Sequence, residues 1–104
     1  VVSYPGKWSS FPPHTHAEPE IYFYKFLPEN GYGYAEVGDT VYKVHHNDAT
    51  CMAHGVTHSQ ATAPGYAEYY IWAIRLRDND PMVTTVVPEH AWVAEKDAKY
   101  FPEI

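Results

Sequence analysis

The chain has 104 residues, a formal net charge of −6 at pH 7 and only seven lysine and arginine residues. A nucleic-acid-binding surface needs a basic stripe, so this balance argues against nucleic acid as a partner. No apolar run approaches membrane-spanning length, so no membrane partner is expected. We expect one cytoplasmic domain over residues 1–104, with a fragment of a longer protein as the alternative.

Short strands separated by turns are predicted along most of the chain, because tyrosine is abundant and nine prolines and six glycines interrupt the sequence. Residues 6–13 are predicted to form a loop or an edge strand, since Pro12 and Pro13 lack the N–H that a central ladder needs. Further strands are predicted at residues 14–17, 20–26, 32–37, 40–45, 49–53, 56–62, 66–76 and 82–87, followed by a loop or short helix over 95–104. Regular turns at this spacing favour an antiparallel sandwich or barrel.

Three histidines and one glutamate have the pattern of a metal site. His14 and His16 are two residues apart, so they share one face of a strand, and Glu20 opens the next strand. His58 comes from a distant strand, after the turn that Gly55 permits. Imidazole nitrogen and carboxylate oxygen are ligands for divalent zinc, manganese and iron. These four residues are therefore the predicted metal ligands.

The other candidates for metal binding or nucleophilic chemistry are weaker. Glu18 competes with Glu20, but Glu18 precedes Pro19 in a turn, whereas the strand fixes the direction of Glu20. Cys51 has no base beside it in the sequence and is interpreted as a small core residue. Four histidines lack a ligand spacing and are interpreted as non-ligands: His45, His46, His54 and His90.

Alternation along the strands groups other side chains with the ligands. If Glu20 points inward, Tyr22 and Tyr24 share its face, and if His58 points inward, so does Gln60. The strand over 66–76 has one face with Glu68, Tyr70, Trp72 and Ile74 and another with Tyr69, Ile71, Ala73 and Arg75. The sequence does not decide which of these two faces is the inner one.

Two motifs resemble those of the cupins. His14-x-His16-x3-Glu20 is similar to the first cupin motif, and the segment from Asn47 to Thr62 is similar to the second, with His58 as its histidine. Three positions depart from the second motif: Asn47, Ala53 and Thr62 stand where Gly, Pro and Asn are usual. The segments WSSFPPHTH, PEIYFYKF, NGYGYAEV, HSQATAPGYAEYYIW and PEHAWV more narrowly resemble the C-terminal half of 5-deoxy-glucuronate isomerase and its relative 5-keto-4-deoxyuronate isomerase.

This resemblance implies an all-β fold, a cupin-type antiparallel β-barrel or jelly-roll. It also implies a metal-dependent aldose–ketose isomerase that acts on a deoxy uronic acid in inositol catabolism. The expected cofactor is one divalent ion, zinc or manganese, with iron or nickel as alternatives. Candidate catalytic residues are Tyr22, Tyr24 and Glu68. Candidate contacts to the sugar acid are Gln60, Lys25 and Arg75, with Arg77 as a further cation.

Two other functions fit the same ligand set. An Fe(II) dioxygenase uses three histidines and a glutamate and would consume oxygen, whereas a non-enzymatic sugar-binding cupin would bind its ligand without turnover. Members of the resembled family usually carry two cupin halves. The expected partner is therefore a second copy of the chain or a second cupin half.

Overall fold

A computed structural model describes residues 1–102. Its nine strands are β1 (Val2–Ser3), β2 (Trp8–Thr15), β3 (Glu20–Leu27), β4 (Tyr32–Val37), β5 (Thr40–His45), β6 (Ala49–Met52), β7 (His58–Thr62), β8 (Ala67–Ile74) and β9 (Thr85–Val86). A 3₁₀-helix, Pro88–Ala94, follows β9. In residues 1–102 no helix is long and apolar enough to cross a membrane.

The strands form two antiparallel sheets. One sheet has the order β1-β8-β3-β6, and the other has the order β5-β4-β7-β2-β9. Buried side chains from both sheets pack into one core: Tyr22, Tyr24, Phe26, Met52 and Tyr70 come from the first sheet, and Ala35 and Val44 from the second. The predicted all-β, cupin-like fold is therefore confirmed.

Strand β3 shows why the sequence folds this way. Its residues alternate strictly between buried and exposed, with Glu20, Tyr22, Tyr24 and Phe26 on the buried face. Because successive side chains of a strand point to opposite faces, one face enters the space between the sheets. That face carries a carboxylate at one end and phenols along its length, so the interior is polar where the strand begins.

Strand β2 differs from its prediction. Residues 8–15 form one strand between β7 and β9, rather than a loop or edge strand followed by a separate strand. Its register against β7 shifts between Ser9 and His14, so Pro12 and Pro13 lie where the ladder is interrupted. The two prolines are tolerated because residues in a bulge do not need to donate a backbone N–H to the regular ladder.

The remaining differences concern strand ends. The predicted strand over 82–87 is reduced to Thr85–Val86, and the predicted strand over 56–62 begins only at His58. The short helix expected in the tail lies earlier, at Pro88–Ala94, where Pro88 occupies the first turn. Residues 103 and 104 of the predicted tail lie outside the described residues.

Candidate metal centre

Three histidines meet at one end of the space between the sheets. His14, near the end of β2, is the register partner of His58, the first residue of β7, and His16 follows β2 by one residue. The ring centroids of His14 and His58 are 4.4 Å apart, and those of His16 and His58 are 5.0 Å apart. One nitrogen of each ring lies within 4.8 Å of the other two. The register of β2 against β7 thus assembles the cluster.

Each of these rings is oriented by a hydrogen bond to the backbone. The Nδ1 of His14 lies 3.1 Å from the carbonyl oxygen of Pro12. The Nδ1 of His16 lies 2.8 Å from the carbonyl oxygen of Glu18, and the Nδ1 of His58 lies 2.9 Å from the carbonyl oxygen of Val56. A carbonyl oxygen only accepts, so each Nδ1 donates its proton. In the neutral ring the lone pair then lies on Nε2, which is the form that binds a metal.

Glu20 joins the cluster from β3. Its Oε2 atom lies 2.5 Å from the Nε2 of His16 and 3.5 Å from the Nε2 of His58, and its side chain is buried. Glu18, the competing carboxylate, lies on the other side of the His16 ring, with its Oε2 3.9 Å from Nδ1. The carboxylate that faces the Nε2 atoms of His16 and His58 is therefore that of Glu20.

The charges of the site are coupled. Burial disfavours the Glu20 carboxylate, but its closeness to His58 and Tyr22 outweighs burial and brings the pKa of Glu20 below its ordinary value. Burial likewise opposes protonation of His58, but the nearby Glu20 carboxylate and the hydrogen bond to the Val56 carbonyl raise its pKa. At His14 burial prevails and lowers the pKa. The site thus favours an anionic Glu20 beside imidazole donors.

The donor set fits a divalent ion. The Nε2 of His58 is buried and has no hydrogen-bond partner within residues 1–102, so a buried lone pair faces the cluster unused. An unpartnered buried polar atom is costly, and an ion offers it a bond. Neutral imidazoles and one carboxylate suit zinc, manganese, iron and nickel alike. The three-histidine cluster could therefore bind a divalent metal, and the donor set leaves its identity open.

A cavity of about 160 Å³ opens onto the cluster. At roughly 30 Å³ per water molecule it has room for about five waters. Besides His14, His16 and Glu20, its lining includes residues that the metal motifs did not nominate: Ser10, Tyr22, Trp72, Met82 and Thr84. Tyr22 and Trp72 follow from strand alternation. Ser10, Met82 and Thr84 do not, because they come from the bulged part of β2 and from the irregular segment after β8.

Two other predicted site residues lie deeper than the cavity. The hydroxyl of Tyr24 donates to Oε1 of Gln60 at 2.7 Å and lies 2.8 Å from the hydroxyl of Thr50. The Nε2 of Gln60 is buried without a hydrogen-bond partner among the residues that are described. Both side chains face the interior, as alternation predicts, but neither lines the cavity at the histidine cluster.

Glu68 faces the interior at the opposite end. It is the register partner of Phe26, six residues along β3 from Glu20, a separation of roughly 20 Å at ~3.3 Å per residue. The side chain is fully buried, and neither carboxylate oxygen has a hydrogen-bond partner in the described part of the chain. This burial raises the pKa of Glu68 to about 8. The structure therefore does not bring Glu68 to the histidine cluster.

The predicted cationic contacts lie on the outside of the first sheet. Lys25 is exposed, and its Nζ lies 2.5 Å from Oδ1 of Asn47. Arg75 and Arg77 line a separate surface groove beside the turn that contains Glu18. None of these three cations lines the cavity at the cluster.

The other histidines and the cysteine have different surroundings. His45 contacts Asp48, His46 accepts from the backbone N–H of Phe26, His54 donates to the carbonyl of Ala17, and His90 lies near Glu89. All four lie outside the three-histidine cluster. Cys51 is a free thiol on the exposed face of β6, rather than the core residue that the sequence suggested, because its register partner Ile21 is on the outer face of β3.

Comparisons with known proteins agree with the fold. A solved structure of an IolB-like protein from Salmonella typhimurium LT2 is 25% identical in sequence, with a TM-score of 0.80. The match covers 91% of this chain and 41% of that protein, so the chain spans about two fifths of its relative. No curated protein matches the chain. The model of the KduI/IolB family, a family of isomerases, matches residues 1–93, and the chain therefore belongs to the KduI/IolB family.

Proposed function

We propose that this chain is the metal-binding domain of a sugar-acid isomerase, which interconverts the aldose and ketose forms of a deoxy uronic acid such as 5-deoxy-glucuronate. The observation that carries the proposal is the orientation of the histidines. His14, His16 and His58 each donate Nδ1–H to a carbonyl and turn Nε2 towards a common point beside Glu20. Such a preset donor group, in a member of an isomerase family, supports metal-dependent chemistry.

An aldose–ketose interconversion moves a proton between neighbouring carbons while negative charge develops on the substrate oxygens. A divalent ion held by the three histidines and Glu20 would supply Lewis-acid polarisation of the substrate carbonyl. The chain itself supplies the walls of the cavity, with Trp72 among the residues that line it.

Tyr22 is the proposed hydrogen-bond donor to the substrate. It lines the cavity next to Glu20, and burial together with the neighbouring Glu20 carboxylate raises its pKa far above the ordinary value. The phenol therefore stays protonated and is suited to donating to an oxygen that gains negative charge, rather than to removing a proton. Tyr24 and Glu68 lie deeper in the fold, and we propose for them no contact with the reacting atoms.

Metal analysis of the purified chain, combined with an assay on 5-deoxy-glucuronate, tests the proposal. We expect about one equivalent of zinc or manganese, no oxygen uptake, and loss of both metal and turnover in His14→Ala. The matched control is His90→Ala, an exposed histidine outside the cluster, which should keep its metal. Iron together with oxygen uptake would instead favour a dioxygenase, and tight sugar binding without turnover would favour a binding protein. A chain that binds no divalent metal would overturn the proposal.

A further inference from the structure

Both arginines of the chain line one surface groove, away from the histidine cluster. The groove has a volume of about 260 Å³, and Arg75 and Arg77 line it together with Glu18, His54 and Asp80. The chain has no other arginine. Arg75 and Arg77 lie two residues apart just after β8, a spacing that turns both side chains to the same side of an extended backbone. We call this surface the arginine groove.

Neither guanidinium group of the arginine groove is paired. Among residues 1–102, the side chains of Arg75 and Arg77 have neither an ion pair nor a hydrogen bond. A guanidinium group presents its N–H donors in a planar fork that matches the two oxygens of a carboxylate or phosphate. Two unpaired guanidinium groups on one concave surface therefore offer a binding point for an anion.

The same groove contains hydrogen-bond acceptors. Glu18 and Asp80 supply carboxylate oxygens. The Nδ1 of His54 donates to the carbonyl of Ala17 at 2.8 Å, which leaves the Nε2 of the neutral ring as an acceptor. All of these acceptors suit the hydroxyl groups of a ligand. Two guanidinium groups and two carboxylates balance in formal charge, so the groove favours a singly charged acid over a doubly charged phosphate ester.

Hydrogen bonds hold the two segments that form the groove. In the turn after β2, the carbonyl of Glu18 accepts from the Nδ1 of His16 at 2.8 Å. After β8, the N–H of Asp80 donates to the carbonyl of Arg77 at 3.2 Å and closes a two-residue turn. Because these segments are fixed when the chain folds, a ligand has less backbone to order when it binds.

We propose that the arginine groove is an accessory binding site for a sugar acid, a small hydroxylated molecule with one carboxylate. Arg75 and Arg77 bind the carboxylate, and the acceptors on the other side chains bind the hydroxyls. A volume of about 260 Å³ is that of about nine water molecules at roughly 30 Å³ each, which suits a molecule of this size. The groove shares no lining residue with the cavity at the histidine cluster, so the proposal does not depend on a bound ion.

Binding of gluconate to the purified protein tests the proposal. Acetate lacks the hydroxyls and glucose lacks the carboxylate, so both should bind at least ~10-fold more weakly than gluconate in isothermal titration. In NMR spectra, gluconate should shift the backbone amides of residues 17–19, 54 and 75–80. Arg75→Gln and Arg77→Gln should each weaken gluconate binding by about 10–100-fold, because each removes hydrogen bonds between charged groups. Both arginines are exposed, so these variants should fold normally.

Lys25→Gln is the matched control, since Lys25 is an exposed cation outside the groove, and it should keep the wild-type affinity for gluconate. His14→Ala should keep it as well, whether or not the histidine cluster binds a metal. Shifts confined to Tyr22 and Trp72, or loss of gluconate binding in folded His14→Ala, would place gluconate at the cluster and overturn the accessory site.

Two further results would also contradict the proposal. Inorganic phosphate or acetate that binds as tightly as gluconate would overturn the assignment to a sugar acid. Wild-type protein that does not bind gluconate would overturn the site itself. Neither result depends on metal content, so a failure here is distinguishable from a failure of the proposed function.

Discussion

Replacement of Glu68 by glutamine should stabilise the protein at neutral pH. Glu68 is fully buried, and neither carboxylate oxygen has a partner in the range 1–102, so the charged form has no compensation for its loss of water. Glutamine keeps the shape of the side chain and never carries a charge. The variant therefore removes the pH-dependent penalty that ionisation imposes on folding.

The magnitude follows from the pKa of Glu68 in the two states. Burial raises it from 4.5 in the unfolded chain to about 8 in the folded protein. Between these values the unfolded state has lost the proton and the folded state retains it, so stability falls as pH rises. At ~1.36 kcal/mol per pH unit, the folded state loses at most about 3 kcal/mol at pH 7 and less than about 1 kcal/mol at pH 5. This loss is absent in Glu68→Gln.

Urea denaturation at pH 5, 7 and 8 measures the effect. The free energy of unfolding of Glu68→Gln should exceed that of the wild type by an amount that grows with pH. Glu29→Gln is the control, because Glu29 is about 80% exposed and its carboxylate remains in water in the folded state. Its difference from the wild type should stay within about 0.5 kcal/mol at each pH.

Two results would refute this reasoning. One is a difference between Glu68→Gln and wild type that is the same at pH 5 and pH 8. The other is a titration of the Glu68 carboxyl carbon, followed by NMR in the folded protein, with a midpoint close to that of an ordinary glutamate. Either would mean that the carboxylate is solvated or paired in solution.

Three further changes have defined outcomes. Tyr22→Phe removes the proposed donor to the substrate and should lower kcat by about 10²–10³-fold with a smaller change in KM, as steady-state kinetics would show; an unchanged kcat would exclude the donor role. His58→Ala removes a proposed metal ligand and should weaken Zn²⁺ binding by more than ~100-fold in a competition titration, and retained affinity would contradict the proposed ligand set. Gly33→Ala should lower the free energy of unfolding, measured in urea, by about 2–3 kcal/mol, because a Cβ at this position would collide with the Glu68 side chain and with the backbone oxygen of Ala61. A variant as stable as the wild type would show that these neighbours move to accommodate the Cβ.

The parts of the fold that follow from alternation could be predicted from the sequence. The inward set of β3 was identified from its spacing alone, because a strand of period two leaves no other grouping once Glu20 is placed. The meeting of His14, His16 and His58 was also predicted, since the two motifs fix which strands carry them. Local pattern was sufficient in both cases.

The interior position of Glu68 relative to the cluster could not be predicted. Alternation predicts that Glu68 points to the interior, but it does not predict how far along the strands Glu68 lies from the histidines. That distance depends on the register of β8 against β3, which cannot be read from the sequence. Ser10, Met82 and Thr84 were missed for a different reason. They come from a bulge and from an irregular segment, where no periodicity exists to assign a direction.

The hydrogen bonds from the three imidazoles to backbone carbonyls also affect how the proposed site would bind and release an ion. Since backbone oxygens of Pro12, Glu18 and Val56 already hold the rings, much of the ordering that a bound ion would otherwise have to impose is completed when the chain folds. Small zinc modules, in contrast, unfold when their ion is removed. If the proposed site holds an ion, that ion could therefore be exchanged while the framework stays in place, and the concentrations of available ions would select which one is bound.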